Sequence, residues 1–312
     1  MKIFNNVNIL KKYRRCSLAV GNFDGLHLGH QKVFKYAKRY ATNNKLRFGI
    51  LTFSPLPVMF FNKNIINHRL VSEDQKFKLF KKYGVNFVIN IKFNKNFSKI
   101  SADSFVKKIL YKKINPKLIL VSNNFKFGNK RKGSINLLKR FSKAYDYRLL
   151  QVSPFKYKKK IISSTRIRKY LQTGHIDIAN KLLSRTWFVD GRVREGKKLG
   201  RKLGYRTCNI RIKNYVLPKK GIYAVKVQIE NKKYIYSGVA YLGSRPTFKG
   251  KEIFLEINIF GIKKNLYKKK IKIYFIKFIR GDKEFKNSAG LIRQMNKDVI
   301  LAKKGLKAKL VV

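Results

Sequence analysis

Two of the four histidines of the chain stand three residues apart in the stretch VGNFDGLHLGH, Val20 to His30. An apolar run ends at Val20 and a helical pattern begins near His30, so His27 and His30 flank a strand-to-helix turn. Glycines let the backbone of such a turn approach a ligand, and the new helix directs N–H groups and its positive dipole end toward that ligand. Imidazole N–H groups placed there can stabilise the charge that builds on phosphate oxygens during an adenylyl transfer.

The same turn permits two other interpretations. Asp24, His27 and His30 are possible metal ligands, and the histidines are also possible caps of the helix. The phosphate interpretation is favoured, because no Cys or further His cluster stands nearby in the sequence and a third strong metal ligand is not evident. Asp24 has three possible roles, which are ordering the loop, helping to place a metal and closing the turn. The residues predicted to meet a nucleotide here are Gly21, Phe23, Asp24 and Gly29.

A second polar cluster follows in the stretch ISSTRIR, residues 162–168. Ser164 and Thr165 offer hydroxyl groups, while Arg166 and Arg168 offer guanidinium groups, which can bind phosphate oxygens in a bidentate manner. Taken alone, the stretch is better explained as a helix N-cap with surface arginines. Its occurrence together with the H-x-G-H pair favours a polyphosphate site instead.

A third stretch, GRVREGKKLGRKLGYRTCNI at residues 191–210, is rich in glycine and lysine. Gly196 and Gly200 suit a loop around phosphate groups, and Thr207 and Asn209 supply the hard oxygen ligands that Mg²⁺ prefers. The stretch matches neither a Walker A loop nor a G-x-G-x-x-G turn, so a flexible basic loop is an equal alternative.

Glu256 lies in the apolar stretch FLEINIF of a chain that has only 14 acidic residues. A carboxylate in this setting either faces solvent or serves as a base. Strand alternation alone favours the solvent face, and the residues by themselves leave both roles open.

The elements that must position these residues change character along the chain. Before about residue 184, apolar strands alternate with helical patterns, which predicts an α/β domain with a parallel, Rossmann-like sheet. Beyond it, glycines and alternating strands dominate and an amphipathic helix ends the chain. This pattern predicts a small antiparallel β-barrel with a terminal helix. We therefore expect two domains, residues 1–184 and 185–312.

The local patterns also predict individual elements. Ser72 and Gln75 form a potential capping box that opens a helix ending near Gly84. The other predicted helices cover residues 31–41, 105–111, 135–145 and 291–303. The predicted strands cover residues 16–20, 46–53, 86–93, 117–122 and 148–153, then 221–243 as two strands, 253–260 and 269–280.

The formal net charge is +61, from 75 Lys and Arg against 14 Asp and Glu. A nucleic-acid-binding protein is one explanation, because binding to phosphates releases counterions. The charge is spread along the whole chain, and Lys, Asn, Ile, Phe and Tyr are plentiful throughout. This spread favours compositional drift in a genome rich in A and T, so we expect no specific nucleic-acid partner. In either case the field attracts anionic ligands such as nucleotides.

Cys16 and Cys208 are too few for a disulfide framework and indicate a reducing compartment. The basic N-terminus lacks the apolar run of a signal peptide, and no apolar stretch has membrane-spanning length. We expect a soluble, cytoplasmic protein without a membrane partner, and we predict no particular oligomeric state.

Together, GNFDGLHLGH and ISSTRIR resemble the adenylyltransferase module of the prokaryotic bifunctional riboflavin kinase/FMN adenylyltransferases, also called FAD synthetases. Between them, TFSPLP (52–57) resembles the family's flavin-side T-F-x-P-x-P segment, and NNFKFGNKRKG (123–133) resembles its D-F-R-F-G-x-x-R-x-G loop. The glycine-rich stretch, GIYAVKV, SGVAYLGSRPTF and LEINIF are similar, in order, to the family's riboflavin kinase module. The resemblance covers about residues 16–304.

The resemblance implies two fused enzymes that use ATP. The barrel is expected to phosphorylate riboflavin to FMN with Mg²⁺, and the α/β domain to transfer AMP from ATP to FMN, which forms FAD and releases pyrophosphate. By resemblance, His27 and His30 stabilise the transition state, while Ser164, Thr165 and Arg168 hold ATP phosphates. The flavin-side residues are Pro55, Asn124, Phe125 and Arg131, with Asn124 in place of the family's Asp and Lys126 in place of its Arg.

In the kinase module, the resemblance assigns Mg²⁺ and ATP phosphates to Thr207 and Asn209 and makes Glu256 the base that activates the riboflavin hydroxyl. Two positions depart from the family, since Arg206 replaces a proline and Cys208 an alanine. Proline fixes φ, so Arg206 removes a constraint on the turn and adds a charge near the metal. An FAD synthetase with weakened or lost kinase activity is therefore one alternative, and a basic nucleic-acid-binding protein is a second.

Overall fold

The computed structural model describes residues 1–195, 204–230, 232–247, 250–262 and 264–306, and of residues 245–247 and 250–252 only the backbone. The chain forms two compact units. The first consists of Met1–Ile66 and Val71–Ser163, and the second of Asn67–Leu70 and Ser164–Val312. The functional boundary between residues 184 and 185 stays a prediction.

The first unit is built on a parallel six-stranded sheet, as expected. Its strand order is β1-β4-β3-β2-β5-β6, and every neighbouring pair runs parallel. The inner strands are almost continuously apolar and buried, which is typical of a sheet covered on both faces. The strands are β1 Lys2–Phe4, β2 Ser17–Val20, β3 Phe48–Ser54, β4 Phe87–Lys92, β5 Leu118–Ser122 and β6 Arg148–Val152.

Helices connect these strands and cover the sheet. They are α1 Leu28–Asn43, α2 Pro57–Phe61, α3 Glu73–Lys82, α4 Lys95–Ser98, α5 Ala102–Ser104, which continues as π-helix over Phe105–Ile114, and α6 Ile135–Ala144. Helix α1 confirms the helix predicted over residues 31–41, and it buries Val33, Phe34, Ala37 and Ala41 on one face.

Helix α3 begins where the sequence predicts. The Ser72 hydroxyl accepts a hydrogen bond from the Gln75 backbone at 3.2 Å, and the Gln75 side chain accepts one from the Ser72 backbone at 3.2 Å. Both bonds of a capping box are therefore present, and they fix the first turn of the helix.

Strand β2 lies at the point where the order of the sheet changes direction. The chain moves outward from β2 through β3 to β4, then returns to place β5 on the other side of β2. Open α/β sheets bind ligands at the carboxyl ends of strands at such a switch point. The turn of residues 21–30 and the loop of residues 123–133 therefore leave neighbouring strands at the expected ligand edge.

The second unit contains an antiparallel six-stranded sheet with the order β10-β13-β12-β11-β14-β9. The Arg194 N–H donates to the Asn209 carbonyl at 2.8 Å, so the two end strands approach each other and nearly close a barrel. A small two-stranded hairpin, β7 Lys156–Tyr157 and β8 Lys160–Ile161, precedes this unit in the chain. The barrel strands are β9 Phe188–Arg192, β10 Cys208–Arg211, β11 Gly221–Ile229, β12 Ile235–Thr247, β13 Gly250–Ile259 and β14 Lys270–Arg280.

Within the described residues, the second unit also has the helices α7 Ser164–Gln172, α8 Ile176–Leu183 and α9 Ser288–Gly305. Helix α9 is attached to β14 by Arg280, whose guanidinium donates to both carboxylate oxygens of the buried Asp298 at 2.9 and 2.7 Å. Such a bidentate pair fixes the orientation of both groups. The expected barrel with a closing helix is thereby confirmed.

Both cysteines lie in apolar interiors and form no disulfide. Burial raises the pKa of Cys16 and of Cys208 from 9.0 to about 12, and the charge of Glu256 adds to the effect at Cys208.

Because only the thiolate reacts quickly, iodoacetamide at pH 8 should label the folded protein at least about a thousandfold more slowly than the unfolded chain. Mass spectrometry with a urea-denatured control measures this difference. Rapid labelling of either cysteine in the folded protein would contradict it.

Candidate active sites

His27 and His30 lie together at the start of α1. Their rings stack nearly parallel, with centroids 3.7 Å apart and planes inclined by 20°. His27 occupies the N-cap position, yet its side chain makes no capping hydrogen bond. Helix capping therefore does not account for His27, and the two imidazoles form one unit at the carboxyl edge of the sheet.

Gly29 permits this stack. A β-carbon at residue 29 would lie 3.2 Å from the His27 ring, which is closer than side chains normally pack. Gly25, with φ of +80°, turns the chain in the left-handed region shortly before the histidines. The glycines of the H-x-G-H turn thus serve the close approach of the two rings as well as the approach of a ligand.

Phe23 and Asp24 have buried side chains. The centroid of the Phe23 ring lies 5.2 Å from that of His30 and 5.0 Å from that of Phe34, and both contacts are edge-on. Phe23 thus packs between His30 and the core. Because its side chain is buried, Phe23 could contact a nucleotide only through its backbone. Gly21, which is also predicted to contact the nucleotide, is half-buried. No group of three His, Cys, Asp or Glu suited to a metal occurs among the described residues.

The stretch ISSTRIR spans the two units. Ile162, near the end of the first unit, lies close to the histidine turn, since its carbonyl oxygen is 3.8 Å from the β-carbon position of Gly29. Helix α7 starts at Ser164, which is half-buried, and Thr165 is exposed. The site that these hydroxyls are predicted to share with the histidines stays a prediction.

The arginines of this stretch have partners within the second unit. Arg166 donates to the Tyr170 hydroxyl from Nε at 3.2 Å and from Nη2 at 3.0 Å. Arg168 donates from Nε to the His68 carbonyl at 2.7 Å. The guanidinium of Arg168 is therefore held in a fixed orientation by the segment Asn67–Leu70.

The flavin-side segments follow two strands of the sheet. Pro55 is half-buried just after β3, whereas Asn124 and Arg131 are exposed after β5. Phe125 stacks on Phe127 with centroids 5.4 Å apart and planes inclined by 21°. The structure thus presents an aromatic face in one of the two segments.

A row of phenylalanines connects these segments, and sequence reasoning missed it. Phe127 contacts Phe105, which contacts Phe97, and Phe97 packs on both Phe53 and Phe93. The row ends at Phe60 and Phe61, whose centroids lie 5.3 and 5.7 Å from that of Phe93. Phe61 is 70% exposed, a large apolar side chain open to a ligand. In the sequence, the adjacent phenylalanines Phe60 and Phe61 could have indicated this row.

In the barrel, Thr207, Asn209 and Glu256 lie together. The Thr207 hydroxyl donates to Glu256 Oε1 at 2.6 Å, and Asn209 pairs directly with Glu256 across β10 and β13. Their neighbours Cys208, Leu255 and Ile257 point into the core, so alternation turns Glu256 and Asn209 to the other face, where both are half-buried. Glu256 thus leaves the core as alternation predicts and joins a polar cluster.

This cluster fits a magnesium ion. Asn209 Oδ1 is buried and accepts no hydrogen bond within the described part of the chain. Buried polar atoms normally have a partner, so this oxygen suits a bound ligand. With the Thr207 hydroxyl and the Glu256 carboxylate it forms a set of hard oxygen donors, which Mg²⁺ prefers.

Of these three residues, Thr207 lines a cavity of about 260 Å³. Arg206 and Lys264 give it positive charge, and Ile259 and Tyr267 give it apolar wall. A cavity with these walls suits a nucleotide with its phosphates. Gly196 and Gly200 lie outside the described residues, so their predicted place around the phosphates is not described.

Arg206 stands where the resembled family has proline, and two hydrogen bonds hold its turn. Asn258 donates from Nδ2 to the Arg206 carbonyl at 2.8 Å. Tyr205, the preceding residue, hydrogen-bonds Asn296 of α9 through its hydroxyl. Side chains of β13 and α9 therefore hold the turn that carries Thr207. In the resembled family, a proline ring restricts the same turn.

Comparisons with known proteins match a family in each half of the chain. The FAD synthetase family matches residues 9–166, and the riboflavin kinase family matches residues 183–306. The bifunctional riboflavin kinase/FMN adenylyltransferase of Buchnera aphidicola subsp. Schizaphis graminum is 38% identical over 97% of this chain and 98% of its own. The proteins of the same name from Haemophilus influenzae and Escherichia coli K12 are 35% and 30% identical, covering 92% and 97% of this chain and 93% and 97% of their own.

A crystal structure of a Streptococcus pneumoniae protein named macrolide-efflux protein is also similar, with a TM-score of 0.84 at 27% identity. It covers 96% of this chain and 98% of its own. The likeness supports the fold described for this chain. Among the helices described for this chain, none is long and apolar enough to cross a bilayer.

Proposed function

The chain belongs to the family of bifunctional riboflavin kinases/FMN adenylyltransferases, and we propose from this premise how its own residues carry out the two steps. The second unit phosphorylates riboflavin to FMN with ATP, and the first transfers AMP from ATP to FMN and releases pyrophosphate. The observation that carries the proposal is that each unit holds its own polar site, the stacked histidines in one and the Thr207–Glu256 pair in the other.

In the adenylyl transfer, an oxygen of the FMN phosphate attacks the α-phosphorus of ATP, and the bond to the pyrophosphate oxygen breaks. His27 and His30 donate hydrogen bonds to the α-phosphate oxygens, where negative charge accumulates. The start of α1 adds its dipole to the same place. Ser164, Thr165 and Arg168 hold the remaining phosphates, with Arg168 oriented by its bond to the His68 carbonyl.

The flavin ring binds along the phenylalanine row. Phe61 and Phe125 offer aromatic faces, Pro55 and Asn124 border the ring, and Arg131 contributes a charge for the FMN phosphate. Stacking and edge contacts between aromatic rings give such a site both affinity and orientation.

In the kinase step, Glu256 takes the proton of the riboflavin hydroxyl as that oxygen attacks the γ-phosphorus of ATP, and ADP leaves. Thr207 and Asn209 would hold Mg²⁺ through their side-chain oxygens, and the ion would supply positive charge to the ATP phosphates. The cavity next to Thr207, with Arg206 and Lys264, holds the nucleotide.

The partners of both units are small anionic molecules, which the strongly basic chain attracts by long-range electrostatics. A cytoplasmic location is proposed because both cysteines are buried thiols without a bridge, as a reducing compartment favours. We propose that the kinase activity is retained, because the hydrogen bond from Asn258 to the Arg206 carbonyl holds the turn that lacks the family's proline.

The decisive experiment is a product assay with riboflavin, ATP and Mg²⁺ that separates FMN from FAD. The unmodified chain should form both products. Replacing His27 and His30 with alanine should lower FAD formation by roughly a hundredfold or more, since each removed donor of this kind costs about that much. FMN formation should continue and FMN should accumulate. Undiminished FAD synthesis by the double variant would refute the role of the histidines.

Glu256→Gln keeps the shape of the side chain and an oxygen that can accept from Thr207, but it removes the base. Kinase turnover should fall by roughly 10²–10⁴-fold, because a positioned base contributes about that factor. FAD formation from added FMN should be unchanged in the same preparation. A fully active kinase with glutamine at this position would exclude the base role.

Asn258→Ala removes the hydrogen bond to the Arg206 carbonyl. The KM for ATP in the kinase step should rise roughly two- to tenfold, which corresponds to one hydrogen bond. Arg206→Pro in the Asn258→Ala background should restore it, because the ring fixes φ at the same residue. Steady-state FMN formation measures both effects, with FAD formation from FMN as the control. An unaltered KM in Asn258→Ala would show that the bond does not position the turn.

A further inference from the structure

A lysine lies in the interior of the first unit. Lys76, on α3, is 3% exposed, although lysine is almost never fully buried because its charge is costly to remove from water. Its ammonium lies over the rings of Phe77 and Phe80, at 5.7 and 5.9 Å from their centroids. Lys78 on the same helix is exposed, so burial is particular to this position. The two proposed reactions do not use Lys76.

The hydrogen bonds of Lys76 have a fixed direction. Its Nζ donates to the Thr52 hydroxyl at 3.3 Å, because an ammonium has donors and no acceptor. The Thr52 hydroxyl, having accepted this bond, directs its single proton to the Asn22 carbonyl at 3.2 Å. A chain of two hydrogen bonds therefore leads from the buried charge to the backbone of the GNFDG turn.

The hydrogen bond from Thr52 to the Asn22 carbonyl reaches the GNFDG turn next to a residue with a strained backbone. Phe23, directly after Asn22, has φ of 48°, an uncommon conformation for a bulky residue, which persists only where its surroundings enforce it. The Phe23 ring packs against His30 at 5.2 Å and against Phe80 at 6.3 Å. Lys76 thus supports the turn twice, through Thr52 at the backbone and through Phe80 beneath the ring.

We infer that Lys76 is a positioning residue for the FAD-forming step. It orients the Thr52 hydroxyl, which holds the Asn22 carbonyl and so fixes the turn that carries His27 and His30. It acts through Thr52 and Phe80 and takes no part in the bond changes of the reaction. The inference rests on the proposed function of the first unit and deepens it.

A purely structural role would have a different signature. Removing a buried charged group leaves the groups that it bonded without that partner, so a loss of stability alone does not separate the two roles. A positioning role predicts a lower kcat for the folded protein. A structural role predicts lost stability with the activity of the folded fraction retained.

The first test is Lys76→Met, with Lys78→Met as the matched control on the exposed face of α3. FAD formation from FMN and Mg²⁺–ATP should lose roughly tenfold or more in kcat, since small displacements of catalytic groups cost up to about a hundredfold. The KM for ATP should change less, because the histidines act mainly in the transition state. The kcat is referred to the folded fraction, which thermal unfolding measures, and FMN formation from riboflavin should be unchanged.

A second set of variants tests the route through Thr52. Thr52→Val should reproduce the loss and Thr52→Ser should not, because only serine keeps the hydroxyl. The double variant Lys76→Met/Thr52→Val should be no worse than either single variant, as expected for two residues acting in one chain. These variants test the same route even where Lys76→Met lowers the yield of folded protein.

The outcomes separate this inference from the proposed function. An unmodified chain that forms no FAD would overturn the proposed function itself. An active unmodified chain whose Lys76→Met variant keeps kcat within twofold would overturn only the role of Lys76. Fully additive losses in the double variant would overturn the route through Thr52.

Discussion

The position of β2 between β3 and β5 is the constraint on which the first site depends. Because the chain builds the sheet outward on one side of β2 and then on the other, the connections after β2 and β5 diverge and leave a crevice at their carboxyl ends. The turn after β2 must then enter α1 at once, which places His27 at the N-cap of α1 and the neighbouring imidazole one turn onward. The close contact of the two rings follows from this geometry together with Gly29.

The barrel obtains its site from a different regularity. Strand alternation sends every second residue of β10 and β13 into the core and the intervening ones to the opposite face. The pairing of Asn209 with Glu256 then brings an amide and a carboxylate side by side, with Thr207 at the strand entrance. The stack of His27 and His30 lies within the first unit, and the bond between Thr207 and Glu256 lies within the second.

Local features of this chain could be predicted and tertiary ones could not. The capping box at Ser72 and Gln75 is contained in four residues, and α3 begins there. The three-residue β1 is too short to show a period, and β10 follows a glycine-rich stretch, so neither was predicted. The bonds from Lys76 to Thr52 and from Asn258 to Arg206 join residues 24 and 52 positions apart, and periodicity holds no information on such pairs.

A lysine or arginine has a different energetic cost on the surface and in the interior of this chain. Lysines on exposed faces cost little wherever they stand, because water and salt screen their charge. A basic residue in the interior has to be accommodated by specific contacts. The Lys76 ammonium is held by the Thr52 hydroxyl and by two phenylalanine rings. A chain of charge +61 can therefore place a lysine in its interior where hydrogen-bond direction and shape select its partners.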